Sequence, residues 1–137
     1  MLVLDENLPA GQRLWLRKWR IRFRVIGVDV AARGTDDENL IPALHRLSRP
    51  TFFSLDHHFY KPAWIHSNYC LVWLDVRRRE AAEFLRRFLR HPAFDTQAKR
   101  MGSIVRVHNN GISYWRARDR SPRLISWPTQ LRRPITR

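Results

Sequence analysis

The sequence predicts an α/β fold in which a mostly parallel sheet is covered by helices on both faces and followed by a C-terminal hairpin. Short apolar runs alternate with stretches of helical periodicity, which is the order found in βαβ units. Two of the apolar runs stop abruptly at acidic residues, as buried strands do where they leave a sheet. The 137 residues, with 44% hydrophobic content, suffice for one domain with a real core.

The first strand and helix are predicted at the N-terminus. The apolar residues 2–4 end at Asp5 and Glu6, and Pro9 suits the first turn of a basic amphipathic helix over residues 10–20. In a parallel sheet, ligands bind at the carboxyl ends of the strands, so these acids would stand at the mouth of a cleft. The alternative, that they favour the positive end of the following helix, stays open.

A second strand and a second helix follow. Residues 21–30 alternate at first and end in a mostly apolar run, which predicts a strand. Thr35 and Glu38 form a capping box that opens the next helix. The buried face of that helix carries three residues at helical spacing, Leu40, Leu44 and Leu47.

The second half of the chain adds two strands, a helix and the hairpin. Residues 51–55 and 69–75 are β-prone apolar runs. Residues 78–90 have helical periodicity and a basic outer face. Residues 104–115 form the hairpin, with Asn110-Gly111 suited to a tight turn that needs a positive φ.

The chain is predicted to consist of a domain over residues 1–115 and a basic tail over residues 116–137. The tail carries seven Arg, one Asp and three Pro, and it shows no apolar period. Proline opposes both helix and strand hydrogen bonding, so we expect the tail to be extended or disordered and loosely held. Its apolar residues leave docking on the body or on a partner open.

The charge balance points to a polyanionic partner. The formal net charge is +14, from 26 Lys+Arg against 12 Asp+Glu, and nearly all the cations are Arg. Because Arg binds phosphate oxygens bidentately, RNA or DNA is the expected partner, although Arg-rich coding bias is an alternative. Tyr60, Trp64 and Trp73 are candidates for base stacking, with a core role favoured for Trp73. The candidate phosphate contacts, which would otherwise be solvated arginines, are Arg78, Arg79, Arg86, Arg116 and Arg118.

Other chemistries are disfavoured by composition. The single cysteine, Cys70, excludes an internal disulfide and a multi-cysteine zinc cluster. Acids as early as Asp5 and Glu6 do not fit a signal peptide, and no apolar run is long enough for a membrane span. A cytoplasmic protein without membrane association is therefore expected.

The few acidic residues collect where strands are predicted to end. Asp5 follows the first strand, Asp36 and Asp37 follow the second, and Asp56 follows the third. In parallel neighbouring strands these groups would reach one edge of the sheet, where they would repel one another without a cation. Oxygen ligands suit Mg²⁺ or Mn²⁺, and such ions assist phosphodiester cleavage.

Three segments carry a family resemblance. They are Leu-Asp-Glu-Asn-Leu-Pro at 4–9, Gly-Thr-Asp-Asp-Glu at 34–38 and Ser-Leu-Asp-His-His-Phe at 54–59. Together they resemble the small PIN-like nucleases of the "LLDENLP" type, which are related to the toxin ribonucleases of toxin–antitoxin pairs. The match covers residues 2–75 by motif and extends more loosely to about residue 115. It implies a PIN-like three-layer sandwich.

The resemblance also implies roles for individual residues. Asp5 would be the central ligand of a Mg²⁺ or Mn²⁺ ion, Asp37 or Asp36 would be a second and Asp56 a third. His58 stands where the family has an aspartate, which bears on metal preference. Since adjacent histidines point oppositely on an extended chain, only one of His57 and His58 is expected to face the cleft. The residues expected to support the ligands are Glu6, Asn7 and Ser54.

The implied function is a metal-dependent ribonuclease, acting as the toxin of a toxin–antitoxin pair. Its partners would be RNA and a cognate antitoxin, and a homodimer is left open. The alternative is a non-catalytic module on the same fold that binds nucleic acid or protein and has a degenerate site. The substitution at His58 is the feature that keeps this alternative open.

Overall fold

The structure is a computed structural model that describes residues 1–26 and 37–128, apart from the side chains of Asp37 and Glu38. Its regular elements in chain order are β1 Leu2–Leu4, α1 Ala10–Lys18, β2 Arg24–Val25, α2 Asp37–His45, β3 Thr51–Ser54, β4 Cys70–Leu74, α3 Ala81–Arg90, α4 Gln97–Arg100, β5 Ser103–His108, β6 Gly111–Arg116 and β7 Arg123–Ile125. Short 3₁₀ helices cover His57–Phe59, Pro62–Trp64 and Arg78–Glu80.

The strands form one seven-stranded sheet in the order β2-β1-β3-β4-β5-β6-β7. The first five strands in this order run parallel, and β6 and β7 are antiparallel to their neighbours. This confirms the predicted α/β class, the mostly parallel sheet and the hairpin. The chain goes from β1 to β2 on one side and returns to place β3 on the other side. The order of the strands therefore reverses between β1 and β3, a position where open α/β sheets bind ligands.

Side chains alternate between the two faces of the sheet, so helices can pack on both. Leu4 and Phe53 belong to a core shared with α1 and α3, whereas their neighbours Val3 and Phe52 belong to a core shared with α2. All four side chains are fully buried. Strands buried on both faces explain why the apolar runs in the sequence are continuous rather than alternating.

Most predicted elements are present, with shifted ends. The strand predicted over 21–30 is observed only as Arg24–Val25, and residues 27–36 lie outside the described part, with Thr35 of the capping box among them. Helix α1 ends at Lys18, where Arg17 and Lys18 suit the negative end of the helix dipole. The helix predicted from residue 78 begins with a 3₁₀ turn before α3.

The hairpin turn differs in detail from the prediction. His108 pairs with Gly111, so the two turn residues are Asn109 and Asn110, and Gly111 begins β6. A Cβ at Gly111 would collide with the backbone carbonyl oxygen of Ile125. Glycine is therefore required here by the close approach of the next strand, rather than by the turn itself.

The sheet extends past the boundary predicted at residue 115. Residues Arg123–Ile125 pair with β6 as strand β7, and Trp127 is buried in the core on the α3 face. The prolines flank this strand: Pro122 precedes it and Pro128 follows its connection to Trp127. Proline at the borders of an edge strand removes no ladder hydrogen bond, which is why the composition did not reveal the strand.

Candidate functional site at the carboxyl edge of the sheet

The candidate site lies where the strand order reverses. β1 and β3 are parallel neighbours, with Leu4 opposite Phe53. Both therefore end at the same edge, and the Asp5 backbone N–H donates a 2.8 Å hydrogen bond to the Phe53 carbonyl oxygen. Asp5 and Asp56 follow the two strand ends at this edge.

A hydrogen-bond network joins the two strand ends through Ser54. The Ser54 hydroxyl donates to Asp5 Oδ2 at 2.6 Å, and it accepts from Asn7 Nδ2 at 3.1 Å and from the Asp56 backbone N–H at 3.0 Å. The Leu55 backbone N–H donates to Asn7 Oδ1 at 3.3 Å. Ser54 is fully buried, so its hydroxyl has a fixed set of partners. The Asp5 carboxylate is consequently held by the Ser54 side chain of the neighbouring strand.

The electrostatic environment of Asp5 disfavours its charge. Burial raises the pKa of the Asp5 carboxyl above its ordinary value, and the neighbouring Glu6 charge adds to the rise. Hydrogen bonds from Ser54 and from the backbone N–H groups of Asn7 and Glu6 oppose the rise without cancelling it. A desolvated carboxylate of this kind gains from a nearby cation.

Asp56 has a different environment. Its Oδ1 accepts a 2.9 Å hydrogen bond from the His58 backbone N–H, so Asp56 caps the 3₁₀ helix His57–Phe59. The His57 Nδ1 and His58 Nδ1 atoms lie 3.7 Å and 3.5 Å from the same Oδ1. One potential ligand atom from each of the three residues lies within 4.8 Å of the others.

The expectation that only one of the two histidines faces the cleft stays a prediction, but its premise is not met. It assumed an extended chain, but His57 and His58 lie in a 3₁₀ helix whose turn brings their rings to the same side, with centroids 4.6 Å apart. The capping bond of Asp56 fixes this turn. His57 was not predicted as a ligand. The sequence feature that could have indicated it is Asp56, a residue type that caps a turn by accepting a backbone hydrogen bond two residues on.

The structure does not test the second-strand acids. Asp36 lies outside the described residues, and Asp37 begins α2 but its side chain is not described. Their assignment as ligands stays a prediction. Glu6 is exposed at the edge beside Asp5.

The predicted phosphate contacts are divided between two edges of the sheet. Arg78 and Arg79 are exposed in the 3₁₀ turn after β4, at the same edge as Asp5. Arg116 pairs with Ser103, the first residue of β5, so it and Arg118 lie at the opposite edge. The register of β6, which the composition could not supply, decides this placement.

Arg86 is bound within the protein. Its Nη2 donates to Glu83 Oε1 at 2.7 Å, and its guanidinium lies 3.7 Å from the ring centroid of Trp19. It therefore joins α3 to the end of α1, which accounts for an arginine at this position without RNA.

Two further residues near the site were not predicted. Arg106 of β5 forms a 2.7 Å ion pair with Asp75, which follows β4 at the carboxyl edge. The Arg106 guanidinium also lies over the ring of Trp73, 5.3 Å from its centroid. The alternation of polar and apolar residues in β5 could have indicated that Arg106 lies on the face of the sheet opposite Val105 and Val107.

Within the described residues, no helix is long and apolar enough to cross a bilayer. Comparisons with protein-family models, with curated proteins and with solved structures give no match to this chain.

Proposed function

We propose that the protein is a divalent-metal-dependent ribonuclease with its site at the carboxyl edge of β1 and β3. The observation that carries the proposal is the Asp5 carboxylate, desolvated and held by Ser54 at the position where the strand order reverses. The exposed Arg78 and Arg79 at the same edge and the net charge of +14 support a nucleic-acid substrate.

The donor set fits a divalent cation. Asp56, His57 and His58 offer one oxygen and two nitrogen atoms within 4.8 Å of one another, a set that suits Mn²⁺ better than Mg²⁺. Asp5 lies at the same edge but outside this group of three, and its carboxylate is of the kind that either ion accepts. A bound ion would activate water and stabilise the leaving oxygen of the phosphodiester.

The remaining roles belong to the residues of the chain. Ser54 orients the Asp5 carboxylate, and Asn7 in turn fixes the Ser54 hydroxyl. Arg78 and Arg79 would bind phosphates on either side of the cleaved bond. His57 and His58 would offer imidazole nitrogen lone pairs to the ion.

The test is RNA cleavage by the wild type and by Asp5→Asn with Mn²⁺ or Mg²⁺ added. Removing one charged ligand group should lower the rate by about a hundredfold or more, since several kcal/mol of charge stabilisation are lost. Asp95→Asn is the matched control, because Asp95 is an exposed acid paired with Lys99 far along the chain. Equal activity of Asp5→Asn and wild type would contradict the proposal.

The resemblance to toxin nucleases motivates a biological role. We propose that the protein acts in the cytoplasm as a toxin that is neutralised by an antitoxin. Induced expression should arrest growth, and Asp5→Asn should relieve the arrest. The alternative function, a binding module with a degenerate site, would be favoured by a wild type that binds RNA without cleaving it in Mn²⁺ or Mg²⁺.

A further inference from the structure

A row of residues crosses the sheet from the candidate site to its far side. Ser54 pairs with Trp73, Trp73 with Arg106, Arg106 with Ser113 and Ser113 with Leu124. Directly paired residues project to the same face, so the row forms one continuous strip on the α2 face of the sheet. The strip begins at the hydroxyl that binds Asp5.

The middle of the strip is an aromatic and basic surface. Trp73 is partly exposed and contacts the ring of Tyr60, with centroids 5.9 Å apart, and the ring of His57 at 6.1 Å. The Arg106 guanidinium lies over Trp73, and its side chain keeps 38% of its surface exposed. Partly exposed rings beside a guanidinium are the groups that bind unpaired bases and their phosphates.

A shallow groove continues the strip beyond Arg106. It has a volume of about 560 Å³, and its lining includes Arg106, His108, Ser113 and Leu124. Leu124 is 73% exposed, which makes it one of the most exposed large apolar side chains in the described part of the chain. The groove thus offers a guanidinium that is paired with Asp75, hydroxyl and imidazole groups and an apolar wall next to the aromatic surface.

We propose that single-stranded RNA lies along this strip, with bases on Trp73 and Leu124 and a phosphate on Arg106, and reaches the candidate site beside Asp5. The inference rests on the proposed function, for which it specifies the substrate class. The charge of the protein favours a polyanion, and the rings require bases that are not already stacked in a duplex. Paired RNA would present its backbone to these rings instead of its bases.

The test measures binding separately from cleavage. A fluorescein-labelled oligouridylate is titrated in EDTA with two proteins, and binding is followed by fluorescence anisotropy. The first is the parent variant Asp5→Asn, and the second is the double variant that also carries Trp73→Leu. Loss of one stacked base should weaken binding about five- to a hundredfold. Trp15→Leu in the same background is the matched control, because Trp15 is 49% exposed on α1, which packs on the other face. The Trp15→Leu variant should bind the RNA as tightly as the Asp5→Asn parent does. Annealing the RNA to its complement should weaken its binding to the parent.

A second measurement does not depend on a variant. Photo-crosslinking of an oligonucleotide containing 4-thiouridine to the otherwise unaltered chain in EDTA should label peptides that contain Tyr60, Trp73 or Leu124. Crosslinks confined to other peptides, or equal affinities of the Trp73→Leu and Trp15→Leu proteins, would overturn the strip as the RNA path. If this face binds a protein partner instead of RNA, the Trp73→Leu and Trp15→Leu proteins should bind the RNA with equal affinity.

Failure of the strip and failure of the proposed function give different results. If wild type and Asp5→Asn cleave RNA equally while Trp73→Leu weakens binding, the site assignment fails and the strip stands as an RNA surface. If Asp5→Asn abolishes cleavage while Trp73→Leu binds normally, the site stands and the strip fails.

Discussion

The Ser54 hydroxyl donates a 2.6 Å hydrogen bond to the Asp5 carboxylate across 49 positions of sequence. The contact exists because β1 and β3 are adjacent parallel strands, in register at Leu4 and Phe53. It makes the orientation of the candidate ligand depend on the pairing of two strands. Fold and site are therefore coupled through one hydroxyl.

Ser54→Ala should destabilise the protein by about 1–3 kcal/mol, because it leaves part-buried partners without their hydrogen bonds. Asn7 Nδ2, the Asp56 backbone N–H and the Asp5 carboxylate would each lose one bond. Urea unfolding measures the change. Ser67→Ala, at an exposed serine in a loop, is the control and should be neutral. Equal unfolding midpoints for the two variants would contradict the importance of the network.

Asp5→Asn should change the pH dependence of stability in metal-free buffer. The folded-state pKa of Asp5 is raised by burial, so the folded protein holds this proton more tightly than the unfolded chain. Stability is therefore lost as pH rises from about 4, the unfolded value, through the raised folded value. The asparagine variant lacks this loss and should gain stability relative to wild type between pH 4 and neutrality. A stability difference that is independent of pH in urea titrations would contradict the shift.

Asp119→Asn should loosen the C-terminal strand β7. Asp119 pairs with Arg123 at 3.0 Å and accepts a 2.8 Å hydrogen bond from the Arg116 backbone N–H, and these bonds lower its pKa. Their contribution is present above about pH 4, the unfolded value, and is lost as pH falls through the lowered folded value. Amide hydrogen exchange in the β6–β7 pairing should become several-fold faster in the variant at neutral pH. Asp95→Asn removes a similar ion pair elsewhere and should leave these amides unchanged.

Truncation after Pro128 should test the basic terminus without damaging the fold. The cut removes Arg132, Arg133 and Arg137 but keeps β7 and the buried Trp127. Each lost phosphate contact should reduce the salt slope for single-stranded RNA by about 0.7. A cut at residue 116 would also remove Trp127 from the core and should lower the unfolding midpoint. An unchanged salt slope after the shorter truncation would exclude these arginines as phosphate contacts.

The strands whose side chains are completely buried could be predicted from the sequence alone. Phe52 and Phe53 in β3, and Leu71 and Val72 in β4, are all fully buried, so their strands appear as continuous apolar runs. The position of Asp5 at a strand end also followed from such a run. These features depend on local composition alone.

Other features depend on contacts between distant residues. The opposite-edge position of Arg116 follows from its pairing with Ser103, and Trp127 is buried by packing with Phe84. The shared side of His57 and His58 follows from a cap whose geometry is not encoded by periodicity. None of these could be predicted without register, turn conformation or long-range packing.

The strands at the two edges of the described sheet determine whether another chain can pair with it. β2 is two residues long in the described part of the chain and β7 is three, and Pro122 and Pro128 bracket the latter. The short edge strand β7, which begins with Arg123 and is bracketed by proline, offers few free backbone groups to a second sheet, which protects this edge against edge-to-edge aggregation. A stable dimer of this chain would therefore use a surface other than the β7 edge, since continuation of the sheet across that edge is disfavoured.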